Sequence, residues 1–369
     1  MDNKSEIKSL KKLSLKKLRE KVNLVRDQLP MDKKKVITYS KNFTLSISNY
    51  CVNQCGYCYY NYRIPKFNGE CNVLLLNNEK IVKITQKGLK SNCKEALIMS
   101  GERPGSFLEI KQELEKLNYS NFTEFVKDIC IYLLDLNLLP HINLGFLTFD
   151  EMKELKKFTA SMGLMLESTS LNLFNKGRVH EYSNGKLPEK RLEHINNAGK
   201  LKIPFTTGLL LGIGESIEDV IKDIQIIKEI NTKYGHIQEV IIQNFVKKKF
   251  IPYQPKKTIS FKEMLKITGL ARIIFQNDIA IQIPPNLIVG FEKEFIEMGI
   301  DDFGGISPFT LDYINPENKW PQIDKLYKIC KDNGFILKER LPIYYNFIRK
   351  EGFCSENIKK VIDNINLDD

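Results

Sequence analysis

The sequence predicts an α/β fold, a (βα)8 barrel of the TIM type, complete or nearly so. Three observations carry this. Eight short apolar runs alternate with longer stretches of helical periodicity. The runs are largely continuous, as parallel strands buried on both faces require. The length, 369 residues, is enough for one large barrel or two modest domains. In such barrels the chemistry sits at the C-terminal ends of the strands, and every candidate motif below falls at one of them.

Composition sets the class. Apolar residues make 42% of the chain and charged residues 27%, the proportions of an ordinary soluble protein. No apolar run approaches membrane-span length, and the basic N-terminus lacks the apolar stretch of a secretory signal. The eight cysteines, three of them clustered, fit a reducing cytoplasm better than a disulfide framework. The formal charge of +11 is spread over lysines along the whole chain without a nucleic-acid recognition motif. It reads as a solvated surface that could draw in anionic ligands or electron donors with acidic faces.

Residues 1–36 form a basic extension. Ile7, Leu10, Leu13, Leu18, Val22 and Val25 give a rough helical stripe, which predicts a helix or two packed outside the barrel. A membrane-surface helix is the rival reading, but the stripe lacks Trp and Phe. Pro30 ends the pattern. The barrel is expected over 37–340. Its strands read at 43–47, 96–100, 140–144, 161–166, 205–211, 240–243, 280–283 and 303–306. Its helices read at 79–88, 122–134, 149–157, 189–199, 217–229, 261–275, 287–298 and 323–333. Residues 341–369 read as a C-terminal tail or helix.

The loop after the first strand is Cys51-Val-Asn-Gln-Cys55-Gly-Tyr-Cys58. Three thiolates at C-x3-C-x2-C spacing can hold three irons of a [4Fe–4S] cluster. No fourth cysteine follows at suitable spacing; the next is Cys71, beyond a Pro and a Gly. The spacing therefore predicts a cluster with one iron open to an exogenous ligand. A structural zinc site would need a closing pair or a His partner, and none is near. Three inert core cysteines are the bland alternative, but three thiols in eight residues make a poor core.

The other strand ends supply polar groups. The second strand runs into Ser100-Gly101-Glu102-Arg103-Pro104, where Gly101 lets backbone approach a ligand and Glu102 can accept from an ammonium group; a polar turn closed by Pro is the plainer reading. The third carries His141 and Asn143, candidates for substrate contact, although a lone His is more often structural. The fourth ends in Glu167, a carboxylate able to accept two hydroxyls. Arg191 opens the helix after the long loop, either as a ligand contact or as a surface charge. The fifth is Gly208-Leu-Leu-Leu-Gly212-Ile-Gly-Glu215, with room for a flat ring at the glycines, and Ser216 with Glu215 could cap the next helix. Gln243 and Asn244 end the sixth strand. Around the eighth, Asp301, Asp302, Gly304, Gly305 and Ser307 read as a barrel-top loop for a polar, nitrogen-rich substrate, or as helix-capping carboxylates.

C-x3-C-x-aromatic-C, with Tyr57 as the aromatic, resembles the signature of the radical S-adenosylmethionine (SAM) enzymes. The resemblance implies that SAM chelates the open iron through its amino and carboxylate groups. It also implies that Gly101 and Glu102 hold the SAM amino group, that Glu167 holds the ribose, that Arg191 reaches the carboxylate, and that Gly208 and Gly212 pack around the adenine. Together with Ile37-Thr-Tyr-Ser40, Pro140-His-Ile-Asn143, Ala160 to Glu167, Ile203-Pro-Phe-Thr-Thr-Gly208, Ile242-Gln-Asn-Phe245 and Asp302 to Pro308, the pattern over about 36–340 resembles subunit 1 of 7,8-didemethyl-8-hydroxy-5-deazariboflavin (FO) synthase. Ser100 replaces the first Gly of the superfamily's Gly-Gly-Glu, and Phe303 stands where the family usually has Trp. The basic N-terminus and an insert at 68–73 are also unfamiliar.

This resemblance implies a lyase acting on 5-amino-5-(4-hydroxybenzyl)-6-(D-ribitylimino)-5,6-dihydrouracil. Ammonia is lost and the deazaflavin ring of coenzyme F420 closes. The implied partners are that small molecule, a low-potential electron donor and possible contact with the companion radical SAM subunit, with no nucleic acid and no membrane. The companion subunit itself, or a menaquinone-pathway relative, is the alternative within the class. A non-catalytic iron–sulfur electron carrier is the alternative outside it.

Overall fold

The structure, a computed structural model, describes residues 12–66 and 72–365. Ile7 and Leu10 of the N-terminal stripe, Cys71 and most of the 68–73 insert lie outside the described residues.

Eight parallel strands form the barrel: β1 Val36–Ser48, β2 Glu95–Ser100, β3 Leu139–Asn143, β4 Ser161–Gly163, β5 Phe205–Leu211, β6 Ile237–Asn244, β7 Ala280–Gln282 and β8 Asp302–Ile306. They pair in that order, and β8 pairs with β1, which pairs back onto β2 to close the ring. The expected fold class is therefore observed. A ninth strand, β9 Ile336–Glu339, lies parallel to the lower part of β1 at Val36 to Tyr39, while the upper part from Asn42 to Ser48 pairs with β2. A register shift between Ser46 and Ser48 marks the top of β1, where the chain leaves the sheet for the cysteine loop.

Side chains alternate across each strand and give the barrel two different faces. Phe43, Leu45, Ile47, Ala96, Ile98, Ile142 and Ile242 are buried in the apolar layer between sheet and helices. Their neighbours Asn42, Thr44, Glu95, His141, Asn143, Thr206, Glu239, Gln243 and Gln282 line the lumen instead. A barrel interior is ordinarily packed with branched apolar residues. This one carries polar side chains around an open chamber.

The helices begin where short polar side chains can accept the first free N–H groups. Thr148 with Glu151, Ser216 with Asp219, and Ser260 with Glu263 form capping boxes. The partner of Ser216 is thus Asp219, not Glu215, which accepts from the N–H groups of Gly212 and Ile213. One N-terminal helix, Leu15–Arg26, buries Leu18, Val22 and Val25 and packs on the helix Phe261–Phe275. After β9, Leu341, Ile343, Phe347, Phe353, Ile358 and Val361 pack with Leu139 and Ala160 into a separate apolar cluster. There Pro342 O accepts from Ser161 Oγ at 2.7 Å and from Gln238 Nε2 at 2.9 Å, joining the C-terminal segment to β4 and β6.

Candidate active site

The cysteine loop is fixed against the end of β2. Val52 N donates to Glu102 O at 3.1 Å, and Glu102 N donates to Cys51 Sγ at 3.2 Å. Gly101 is required there: a Cβ would lie 2.0 Å from Tyr50 O, a backbone atom that cannot give way. Gly56 N donates to Val179 O, which ties the loop's other side to the segment following β4.

Cys51, Cys55 and Cys58 line one cavity of about 270 Å³ at the barrel mouth. Among the described residues no three His, Cys, Asp or Glu side chains are close enough to share a single metal ion. Burial pushes the Cys55 thiol up to about 12 and raises that of Cys51 as well. Ligation at Cys51 and Cys55 would therefore displace thiol protons. The donor set and its cavity fit a cluster.

Two carboxylates face the same cavity. Glu102 pairs with Arg191 at 3.1 Å and accepts from Phe146 N at 3.1 Å. Burial alone would raise its pKa, but Arg191 and Lys186 hold it below the usual carboxylate range. Glu167 sits at φ +64, a left-handed conformation costly for a side-chain-bearing residue, and itself forms a bridge to Leu209 of β5. Its carboxylate meets Lys186, the Tyr57 hydroxyl and, at 3.3 Å, His180 Nε2. Burial would again raise it, and Lys186 with His180 and Arg191 hold it well down. Burial lowers His180 from its ordinary value, opposed by its bond to Glu167.

Tyr57, Gly101, Arg191, Asn143, Gln243 and Asn244 line this cavity too. Gly208 stands just behind it, with a would-be Cβ 2.7 Å from the side chain of the lining residue Met165. Gly212, at φ +90, turns the chain after β5 beside Ile259 and does not line the cavity. Below lies a second chamber of about 200 Å³ that shares Met99, Asn143, Ile241 and Gln243 with the first, so the lumen continues downward. His141 faces this lower chamber. Lys186, Asn53, Tyr60, Lys248 and Asn315, which the sequence reading missed, also line the upper cavity. The Asn-Gly pair before Lys186 is the one local hint of a tight approach: Gly185 N donates to Asn53 Oδ1 at 2.8 Å.

The placement of Asp301 and Asp302 is corrected. They lie at the opposite, N-terminal end of the barrel, where Asp302 pairs in register with Thr38 at the start of β1. Asp302 binds Arg340 through both carboxylate oxygens at 2.6 and 2.8 Å, and Arg340 also reaches Glu239 at 2.8 Å. Asp301 pairs with Arg26 at 3.3 Å and with Arg272. Ser307 lies past the end of β8 and accepts from Thr310 N at 2.9 Å, which makes it part of a turn outside both chambers.

The family described as the radical SAM superfamily matches residues 45–227. The chain is 46% identical over 332 residues to 7,8-didemethyl-8-hydroxy-5-deazariboflavin synthase of Methanocaldococcus jannaschii, covering 90% of each. It is 44% identical over 353 residues to the synthase of the same name from Methanococcus maripaludis, covering 95% of this chain and 97% of that one. Among solved structures, methylornithine synthase superposes with a TM-score of 0.68 at 20% identity, covering 90% of this chain and 93% of that chain. An FeFe-hydrogenase maturase from Carboxydothermus hydrogenoformans gives 0.66 at 19% identity, covering 91% and 79%. At these identities the two structures speak for the fold alone.

Proposed function

The chain belongs to the family of 7,8-didemethyl-8-hydroxy-5-deazariboflavin synthases and carries a radical SAM domain, and we propose on that premise that it is the lyase that closes the deazaflavin ring. The substrate is 5-amino-5-(4-hydroxybenzyl)-6-(D-ribitylimino)-5,6-dihydrouracil, ammonia is released, and the product is FO. The observation that carries the reading is the convergence of Cys51, Cys55 and Cys58 with Glu102 and Glu167 on one cavity above a polar lumen.

In this reading the three thiolates hold a [4Fe–4S] cluster, and Glu102 with Arg191 faces the charged end of SAM. Glu167 and Tyr57 meet the nucleoside. Cluster and SAM together supply a hydrogen-abstracting organic radical. The chain's own residues hold the adduct in the lumen, where Asn143, Gln243 and Gln282 offer amide donors and acceptors to a uracil and a polyol. Positioning of this kind keeps a radical from attacking anything else. A companion enzyme supplies the adduct, and a low-potential donor supplies the electron. Among the described residues no helix is long and apolar enough to cross a membrane, and we read the protein as cytoplasmic. We divide it into the extension 1–36, the barrel 37–340 and the segment 341–369.

The test is anaerobic incubation of reconstituted protein with SAM, a reductant and the companion's product. FO and 5′-deoxyadenosine are expected together. Alanine at Cys51, Cys55 or Cys58 should remove the cluster's visible absorbance and both products. 5′-Deoxyadenosine without FO would point to another radical SAM reaction, and loss of the cluster in Cys71→Ala would refute three-thiolate ligation.

A further inference from the structure

Ring closure releases a proton, and the lower chamber holds one side chain whose hydrogen bonds prepare it to take one. His141 Nδ1 lies 2.6 Å from Ser161 Oγ. Ser161 has a single hydroxyl proton, and it is directed to Pro342 O at 2.7 Å. A carbonyl oxygen only accepts, so Ser161 must accept from His141, and Nδ1 must carry the hydrogen. In a neutral imidazole the other nitrogen, Nε2, is then a free lone pair. Among the described residues Nε2 has no hydrogen-bond partner, although the ring faces the chamber. The facing residue is Gly163, where a Cβ would stand 3.0 Å from Nε2 and crowd it. Burial lowers the ring's pKa from its ordinary value, opposed by Glu95 on β2 and assisted by Arg340 after β9. Glu239 on β6 also faces this chamber, and β4 presents the uncharged Ser161 and Gly163.

We propose that His141 is a catalytic base, and that Nε2 takes the proton released when the deazaflavin ring closes. This rests on the reading of function above. In the step, the nitrogen bearing the ribityl chain has bonded to the aromatic carbon. The C–H bond at that carbon breaks, its electron pair stays in the ring, and the proton bonds to Nε2, giving imidazolium. Over the whole reaction the adduct loses ammonia and two hydrogens. One leaves as an atom to the organic radical. The other leaves as this proton, and its electron passes to a one-electron acceptor of the iron–sulfur class.

The first test needs neither cluster nor turnover. Nitrogen-15 spectra of histidine-labelled protein at neutral pH should show His141 with Nδ1 protonated and Nε2 bare, the signal being assigned by its loss in His141→Gln. A protonated Nε2 in the neutral ring overturns the proposal. The second test uses the reconstituted enzyme. His141→Gln should still form 5′-deoxyadenosine while FO formation falls about a hundredfold or more, the usual contribution of a positioned base. The fall in FO rate at acid pH that marks the base in wild type should vanish in the variant. Ser161→Ala, which keeps the imidazole but frees its tautomer, should lose part of FO formation. Unchanged product ratio and pH profile in His141→Gln overturn the assignment. So does joint loss of both products in His141→Gln with a Ser161→Ala variant that behaves as wild type. Wild-type FO formation in the same assay tests the functional reading separately.

Discussion

At the scale of single residues, Gly185 shows how tightly the upper cavity is built. A Cβ there would lie 1.6 Å from Glu102 Oε1 and 2.6 Å from Asn53 Nδ2. Glu102 can yield only by giving up its bonds to Arg191 and Phe146 N, since Gly145 already lies against its stem. Gly185→Ala should therefore displace the carboxylate without touching a cysteine. A charged hydrogen bond is worth about 1.5–3 kcal/mol, so SAM affinity should fall roughly ten- to a hundredfold while the cluster stays. Equilibrium dialysis on reconstituted protein measures this, and an unchanged affinity would free Glu102 of its assigned role. Cys51, Tyr57, Glu102 and Glu167 were legible in the sequence because each stands just beyond a recognisable strand. Lys186 and Asn53 were not, because their loops carry no periodicity and meet only in the folded chain. Asp301 and Asp302 were misread as part of a barrel-top loop, although the strand read at 303–306 follows them and so puts them at its N-terminal end. The glycines belong to that strand: a Cβ at Gly305 would strike Asn42 Nδ2 at 2.2 Å, and Gly304, at φ +78, lies against Gln282.

At the scale of elements, the helix Ile217–Tyr234 is joined to the segment after β4 by a buried carboxylate. Asp223 Oδ1 accepts from Thr169 N at 3.0 Å and from Thr169 Oγ1 at 2.5 Å, while among the described residues buried Oδ2 has no hydrogen-bond partner. Burial raises this acid to about 6, against an ordinary 3.8. The native state therefore keeps a proton between those values that the unfolded chain has lost, and stability contributed by this group falls as pH rises through the window. Asp223→Asn removes the titration. Its stability relative to wild type should climb between about pH 4 and 6, by at most about 3 kcal/mol, and stay level outside that range. Urea unfolding at several pH values reads it, and a flat difference would show that Asp223 is charged in the fold. The helix itself was legible from its period and its Ser216 start. Strand β9 was not, because four residues with only Leu337 buried give too short an alternation to stand out. The helix Leu108–Lys116 was missed for a similar reason: only Ile110 and Leu114 are buried, a stripe of two.

At the scale of the molecule, an apolar mantle surrounds a polar lumen, and the lumen needs a floor that is neither leaky nor uncompensated. Arg340 supplies it. It lies after β9, bonds Asp302 on β8 and Glu239 on β6, donates to Leu341 O at 3.1 Å and covers the Tyr344 ring at 4.6 Å. Asp302 is wholly buried, and this guanidinium bonds both of its carboxylate oxygens. The continuity of the apolar runs announced the barrel but not this end of it, because Arg340 pairs with residues 38 and 101 positions away in the chain. Replacing one partner of a buried pair leaves the other charge stranded, at a cost of about 3–5 kcal/mol. Arg340→Met should destabilise the protein by that amount in urea unfolding, and a triple variant that adds Asp302→Asn and Glu239→Gln should recover most of it. The same logic separates structure from chemistry at Asp302. Since it faces the floor and not the substrate, Asp302→Asn should lower stability while the ratio of 5′-deoxyadenosine to FO stays as in wild type. A loss below about 1 kcal/mol in Arg340→Met would mean that water reaches the floor and that the carboxylates are solvated without it.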